Sequence, residues 1–259
     1  MHQETLIYQA DGLTMRSRLW FEPTSSPRAG VLVFPEAFGL DEHAVERAER
    51  LAALGYATLA CDLHGEGRVV GALQEAMALL QPLFDDPSRT RARATGSLLA
   101  LAARPEVDAA RIAAISFCFP MALELARSGA DIRAAVGFHT GLGTKAPTAV
   151  AGAIKARVLV CIGADDPFIP AGQRAEFETE MRDADANWEM QLYGGAVHSF
   201  TNRTAATRIK VRLPRRAPAR RCSAICSDKS RPAHMALPAS CRRQTRKSVK
   251  ACWVGTLDF

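Results

Sequence analysis

The sequence lacks the segments that identify membrane proteins, secreted proteins and disulfide-stabilised domains. Its 259 residues contain no run of about 18 apolar positions, so we expect no transmembrane helix. The segment from Met1 to Thr5 has no basic region followed by an apolar one, so we expect no signal peptide. The seven cysteines are odd in number and include no Cys-x-x-Cys pair, which argues against a disulfide framework. These absences predict a cytoplasmic protein with reduced thiols.

Glutamate is absent after Glu189, and the distribution of charge divides the chain into two regions. Residues 1–202 carry 18 Lys and Arg against 25 Asp and Glu, whereas residues 203–259 carry 15 against two. The first region, at −7, is typical of a mildly acidic globular domain, and the second, at +13, is a basic tail. We expect residues 1–202 to form one domain with one sizeable core.

Apolar runs alternate with helical stripes along the first region. Strands are predicted at residues 13–21, 30–35, 56–61, 112–115, 134–138, 158–162 and 188–193. Helices are predicted at residues 41–54, 71–84, 87–104, 121–127 and 170–182. Continuous apolar strands that alternate with helices indicate the α/β class, a doubly wound and mostly parallel sheet with helices on both faces.

Polar side chains lie where these strands end, and such a sheet collects its active groups at that edge. The strand ends carry Glu36, Asp62, His64, Cys118, His139, Asp165, Asp166 and His198. Along the chain, this set contains a cysteine, then an aspartate and then a histidine. That is the order in which α/β-hydrolases present nucleophile, acid and histidine.

Cys118 stands between a β-branched, apolar run and a strongly helix-forming run. This pattern predicts a strand, a sharp turn and a helix, with the thiol at the apex of the turn. A helix N-terminus beside the thiol would stabilise a thiolate and a developing oxyanion. A buried structural cysteine is the alternative for Cys118, and it is the preferred interpretation for Cys61 and Cys161, which lie within apolar strands.

Five short motifs occur in order: PEAFGL at residues 35–40, DLHG at 62–65, FCF at 117–119, GADDPFIP at 163–170 and YGGAVHSF at 193–200. With these motifs the chain resembles the dienelactone hydrolase family over roughly residues 5–202. The resemblance implies one α/β-hydrolase domain that hydrolyses lactones or esters through a Cys–Asp–His triad. It implies a small-molecule substrate, no cofactor and no metal, and we expect a monomer or weak dimer with no membrane partner.

The resemblance makes Cys118 the nucleophile, His198 the general base, and Asp166 the acid that orients the imidazole. Asp165 competes with Asp166, but the family pattern has the acid at the second aspartate, so Asp165 is expected to hold the turn. The family also uses arginines for the carboxylate of dienelactone. Only Arg203 lies near the matching position, so esters and thioesters are equally open as substrates.

Glu36 follows a buried strand, where a carboxylate is costly unless it has a partner. The resemblance implies that it lies beside the nucleophile, where its charge would keep the thiol protonated until substrate arrives. A helix-entry or salt-bridge glutamate is the alternative. The backbone N–H groups of Ala37 and Phe119 are then the expected oxyanion hole. Two histidines are expected to line or brace the pocket: His64 and His139.

The predicted elbow departs from the family pattern Gly-x-Cys-x-Gly-Gly. Ser116 replaces the first glycine, Pro120 replaces the glycine pair, and the stretch is about two residues short. Such a deletion rotates the following helix by about 200° at 3.6 residues per turn. Leu123 and Leu125 are therefore expected to face the wrong way. A catalytically impaired relative is the alternative function.

Residues 203–259 show no apolar-striped helix of the kind that closes the family's domain. Their arginines and prolines predict a poorly ordered tail, from a shifted reading frame or a grafted segment. Because no closing helix is predicted, part of the sheet is expected to stay uncovered. A basic arm that binds nucleic acid or another anionic partner is the alternative. The tail contains possible zinc ligands whose spacing does not support a site: Cys222, Cys226, His234, Cys241 and Cys252.

Overall fold

The computed structural model describes residues 1–148 and 150–203, which all belong to the unit Met1–Ile209. The described strands are β1 (His2–Ala10), β2 (Leu13–Phe21), β3 (Arg28–Phe34), β4 (Ala57–Ala60), β5 (Val107–Phe117), β6 (Ala134–Phe138), β7 (Arg157–Gly163) and β8 (Trp188–Tyr193). The described helices are α1 (Glu42–Ala53), α2 (Leu73–Asp85), α3 (Pro87–Ala102), α4 (Met121–Arg127) and α5 (Ala171–Asp183). The tail prediction lies outside the described residues from position 204 onward and stays a prediction.

The eight strands form one sheet in the order β1-β2-β4-β3-β5-β6-β7-β8. The strands from β4 to β8 in this order pair in parallel, and β1 and β2 add an antiparallel hairpin at one edge. The predicted α/β class and the mostly parallel sheet are therefore confirmed. This topology brings the carboxyl ends of β3, β5, β6 and β7 to one edge of the sheet.

Helices cover both faces of this sheet. Leu32 and Ala114 point to a core shared with residues of α2, α3, α4 and α5. Their neighbours Val33 and Ile115 are also buried, and successive strand residues point to opposite faces. On that second face the hydroxyl of Thr58 in β4 donates to a backbone carbonyl of α1.

Strand β1 was not predicted from the sequence. Most of its residues are partly or fully exposed, so its apolar alternation is weak. The turn between β1 and β2 is formed by Asp11 and Gly12, with φ of 51° and 70°. An Asp-Gly pair with two positive φ angles is typical of the tight hairpin turn that matches strand twist. The hairpin is held against α3 by Tyr8, whose hydroxyl hydrogen-bonds Ser17 and Ser97.

Leu123 and Leu125, which are expected from the sequence to face the wrong way, are both buried, and the rotation of helix α4 stays a prediction. The helix has only seven residues, and all of them are buried. Protein therefore surrounds α4 on every side. Its charged residues are paired, since Arg127 bonds Glu124 at 2.8 Å and Glu180 at 2.6 Å. A rotation of so short and enclosed a helix leaves its apolar side chains inside.

None of the helices in the described part of the chain is long and apolar enough to cross a bilayer.

Candidate active site

The turn that joins β5 to α4 has three residues: Cys118, Phe119 and Pro120. Cys118 has a φ of 60°, in the left-handed region that side chains other than glycine rarely adopt. Its N–H donates to the carbonyl of Phe138 in the neighbouring strand at 3.2 Å. Pro120 fits at the start of α4, because a helix's first residues do not need their N–H groups. The strained turn leaves the Cys118 side chain partly exposed.

The structure brings Cys118, His198 and Asp166 into one chain of hydrogen bonds. His198 Nε2 lies 3.2 Å from Cys118 Sγ, and His198 Nδ1 lies 2.9 Å from Asp166 Oδ2. Asp166 is buried, and its other oxygen accepts from the Phe168 N–H at 2.9 Å. Asp165 is exposed, and its backbone N–H bonds the carbonyl of Ala196. The second aspartate, and not the first, is thus the one that contacts the imidazole.

The surroundings of His198 favour its protonated form. Burial alone lowers the pKa of His198, but hydrogen bonds to Asp166 and Cys118 outweigh burial and raise that pKa to about 10. A protonated imidazole beside a thiol stabilises the thiolate. The 3.2 Å contact therefore gives the Cys118 thiol a proton partner within hydrogen-bond reach.

The other two described cysteines have different surroundings. Cys61 and Cys161 are fully buried, and burial raises the pKa of the Cys61 thiol and raises the pKa of Cys161 to about 12. Within the described residues, Cys118 is the cysteine that combines partial exposure with an imidazole contact. The interpretation of Cys61 and Cys161 as structural agrees with this geometry.

The hydrogen bonds of Glu36 do not go to the thiol. Its two carboxylate oxygens accept from the Ser199 hydroxyl at 2.9 Å and the Asn202 amide at 2.7 Å. Its Oε1 also lies 3.7 Å from His139 Nε2. Burial raises the pKa of Glu36. In this structure Glu36 holds the segment that follows His198, and its role beside the nucleophile stays a prediction.

The two predicted oxyanion donors differ in availability. The Phe119 N–H donates to the carbonyl of Phe117 at 2.6 Å and must release it to bind an oxyanion. In the described part of the chain the Ala37 N–H has no backbone acceptor. The Ala37 carbonyl accepts from His64 Nε2 at 2.9 Å, so His64 braces this turn as expected.

His139 and Arg47 both contact Thr201, in the segment after His198. His139 was expected to brace the pocket, and its ring edge packs on the His198 ring at 5.2 Å between centroids. Arg47 and Thr201 were missed. Arg47 could have been found, because it lies with Ala44 and Ala48 on the apolar face of α1, where a charge needs a partner.

Two exposed phenylalanines pack against residues of the site. The Phe168 ring, 68% exposed as a residue, packs edge-on against His198 at 4.9 Å. The Phe84 ring, 41% exposed, packs edge-on against Phe119 at 5.0 Å. Exposed aromatic rings beside a reactive pair provide apolar surface for a ligand.

Arg203, the one candidate for binding a substrate carboxylate, lies beside helix α1. Its Nη1 is 3.8 Å from Glu46 Oε1, and half of its side chain is exposed. The described residues also contain no group of three or more His, Cys, Asp or Glu side chains that could hold a metal ion.

The chain is similar to known hydrolases in sequence and in fold. The profile of the dienelactone hydrolase family matches residues 17–222. A solved structure named m3DLH is 46% identical, with a TM-score of 0.75, over 79% of this chain and 86% of that one. The dienelactone hydrolase-like promiscuous phosphotriesterase P91, from metagenomic libraries, is 42% identical, with a TM-score of 0.75, over 81% of this chain and 89% of that one. A Bradyrhizobium sp protein named "Probable 2-oxo-3-(5-oxofuran-2-ylidene)propanoate lactonase" is 27% identical over 66% of this chain and 72% of its own length.

Proposed function

This chain belongs to the dienelactone hydrolase family, hydrolases of ester and lactone bonds, and we propose that it acts through a covalent intermediate on Cys118. His198 is the proton carrier and Asp166 is the residue that orients it. The observation that supports this proposal is the continuous chain of hydrogen bonds from Cys118 through His198 to Asp166, at 3.2 and 2.9 Å.

In the proposed reaction His198 holds the proton of Cys118, and the thiolate attacks the carbonyl carbon of an ester or lactone. The carbonyl oxygen becomes an oxyanion that accepts from the Ala37 N–H, joined by the Phe119 N–H once it leaves Phe117. As the intermediate collapses, the carbon–oxygen bond to the alcohol breaks and His198 gives that oxygen its proton. His198 then takes a proton from water, which cleaves the thioester and restores the thiol.

We propose uncharged, apolar acyl groups as the substrate class. Phe168 provides apolar surface against His198, Phe84 provides it against Phe119, and Arg203 lies 3.8 Å from Glu46. An acyl chain gains about 25 cal/mol for each Å² of apolar surface that it buries there. A carboxylated acyl group gains no matching cation from this arrangement.

The test compares p-nitrophenyl butyrate hydrolysis by the wild-type protein, Cys118→Ala and Cys161→Ala. Removing a nucleophile costs about 10⁴-fold or more in kcat, so Cys118→Ala should fall to near background. Cys161→Ala, the matched buried control, should keep most of the activity. Mass spectrometry of quenched wild-type enzyme should show the butyryl adduct on Cys118. Hydrolysis that survives Cys118→Ala would refute the covalent role.

Phosphotriester hydrolysis is a second candidate, favoured by the 42% identity to the promiscuous phosphotriesterase. The same thiolate would attack phosphorus and displace an aryloxide, and water would then cleave the phosphorus–sulfur bond. Paraoxon turnover that disappears in Cys118→Ala supports this activity, and its absence from the wild-type protein excludes it.

The alternative function, a catalytically impaired relative, predicts a different result for iodoacetamide alkylation and for ester hydrolysis. An elbow that cannot react would leave Cys118 inert to iodoacetamide and the wild-type protein without esterase activity. Reaction of Cys118 that slows when a substrate analogue is added supports the enzyme instead.

A further inference from the structure

The segment that carries His198 lies outside any helix or strand, after the end of β8. Loops of this kind are usually the more mobile parts of a protein. Ser199, the next residue, has a φ of 55°, in the left-handed region that a serine rarely adopts. Contacts elsewhere must therefore hold this backbone if His198 is to stay within hydrogen-bond reach of Cys118.

Thr201 is held by two distant parts of the chain. Its carbonyl accepts from Arg47 Nη2, in helix α1, at 2.7 Å. Its hydroxyl forms a 2.8 Å hydrogen bond with His139 Nε2, at the end of β6. Ser199 and Asn202, on either side, bond the two oxygens of Glu36. Three distant parts of the chain thus meet at the four residues that follow His198.

These anchoring groups are all buried. Thr201 and Arg47 are 1% exposed, Glu36 is 4% exposed, and His139 is fully buried. A buried polar group that loses its partner costs about 1–3 kcal/mol, and a charged group costs more. Release of the segment would leave the guanidinium of Arg47, the carboxylate of Glu36 and the imidazole of His139 without these hydrogen-bond partners at the same time. The hydrogen bonds therefore oppose any displacement of the segment.

We propose that Thr201 is a positioning residue, which Arg47 and His139 hold by its carbonyl and hydroxyl so that His198 stays aligned with Cys118. This inference rests on the proposed function, because it assumes that the Cys118–His198 pair carries the reaction. Thr201 is not itself part of this pair. It acts through the three-residue connection to His198 and through His139, whose ring packs on the His198 ring.

The test uses Thr201→Val, which keeps the shape and the carbonyl but removes the hydroxyl. Looser placement of His198 should lower kcat for p-nitrophenyl butyrate about 10-fold and leave KM nearly unchanged. The rate at which iodoacetamide alkylates Cys118 at neutral pH should fall with kcat, because the thiolate loses its imidazole partner. Thr201→Ser, which retains a hydroxyl, should recover most of both rates.

Thr58→Val is the matched control. Thr58 is also fully buried, and its hydroxyl donates to the carbonyl of Ala48 at 2.9 Å, in the packing of β4 against α1. This variant loses one buried threonine hydroxyl, as Thr201→Val does, but it leaves the His198 segment intact. It should lower thermal stability without lowering the alkylation rate of Cys118. Equal losses of alkylation in Thr58→Val and Thr201→Val, or no loss in Thr201→Val, would overturn the proposal.

His139→Leu provides a second route if Thr201→Val does not fold. It removes the other partner of the same hydrogen bond, so it should also slow alkylation about 10-fold. If both single variants fold, the double variant should be no slower than His139→Leu, because Thr201→Val removes only the hydrogen bond that His139→Leu has already removed. Multiplied losses in the double variant, or normal alkylation in His139→Leu, contradict the proposal.

Alkylation also separates this inference from the proposed function. If ester hydrolysis survives Cys118→Ala, the proposed function fails, but the alkylation rates of Cys118 still report whether Thr201 aligns the pair. If Cys118→Ala is inactive while Thr201→Val alkylates normally, the triad stands and the positioning role is wrong.

Discussion

The two turns that meet at this site are held in different ways. The Cys118 turn is held by backbone: its φ of 60° and the N–H bonds of Cys118 and Phe119 involve main-chain atoms of adjacent elements. The His198 segment is held by side chains from distant parts of the chain, chiefly Glu36 and Arg47. The nucleophile is thus placed by local chain geometry, and the base is placed by long-range polar contacts.

This difference predicts which substitutions each turn tolerates. Side-chain changes next to Cys118 should matter little if the backbone conformation is kept. Changes to the side chains that hold the segment after His198 should disturb the reaction even when they lie outside the pocket. The predictions below test that division, beginning with the contact on which His198 depends most directly.

Asp166→Asn should lower kcat by roughly 10³–10⁴-fold, because the amide can favour the wrong tautomer of His198 and no longer stabilises its cation. Asp165→Asn is the matched control, since Asp165 is exposed and adjacent in sequence. It should keep kcat within a few-fold of the wild-type value. Steady-state hydrolysis of p-nitrophenyl butyrate measures both. A large loss in Asp165→Asn with activity retained in Asp166→Asn would reverse the assignment of the acid.

Glu36→Ala should lower kcat by about 10–100-fold, because it releases Ser199 and Asn202 together. The sequence-based expectation for Glu36 was different: a carboxylate that keeps the Cys118 thiol protonated. The two roles predict opposite changes in iodoacetamide alkylation of Cys118. Loss of an anchor slows alkylation, whereas loss of a repelling charge speeds it.

Faster alkylation in Glu36→Ala would show that the carboxylate acts on the thiol and would weaken the comparison between the two turns. Glu36→Gln is the conservative control. It keeps an oxygen that can accept from Ser199 and loses only the charge, so an anchoring role predicts a smaller effect than in Glu36→Ala.

The difference between the two turns also explains what the sequence predicted. The elbow depends on contiguous residues, and the predicted bounds of α4, β6 and β8 match the structure: Met121–Arg127, Ala134–Phe138 and Trp188–Tyr193. Motifs likewise identified Cys118 and His198 as partners. The fold class could be predicted because buried parallel strands have a strong apolar signal.

The anchors of the His198 segment could not be predicted in the same way. Thr201 lies 154 residues from Arg47 and 62 residues from His139. Hydrogen bonds across such separations leave no local pattern in one sequence. The contacts of Glu36 with Ser199 and Asn202 were not predicted either, since they depend on where the last described segment lies.

The pH dependence of stability should report the alignment of His198. Its pKa is raised from 6.5 to about 10 in the folded state, so its stabilising contribution is complete below pH 6.5 and is lost as the pH rises through 10. The free energy of unfolding should therefore fall by about 2–4 kcal/mol between these pH values. Asp166→Asn removes a main cause of the raised pKa and should show a smaller fall. Urea unfolding at several pH values measures this fall in the free energy of unfolding. An equal fall in the wild-type protein and in Asp166→Asn would contradict the prediction.

The smallest effect is expected at Ser116, where the elbow departs from the family's glycine. Ser116 is fully buried and its hydroxyl has no hydrogen-bond partner among the described residues, so Ser116→Ala should be neutral or stabilise the fold by up to about 1 kcal/mol. Ser17→Ala is the matched change at another fully buried serine, whose hydroxyl bonds Tyr8 and accepts from the Asp62 N–H. It should cost about 1–3 kcal/mol in urea unfolding. If Ser116→Ala is as costly as Ser17→Ala, or slows ester hydrolysis, the elbow depends on a side-chain contact after all, and the division between a backbone-held nucleophile and a side-chain-held base fails.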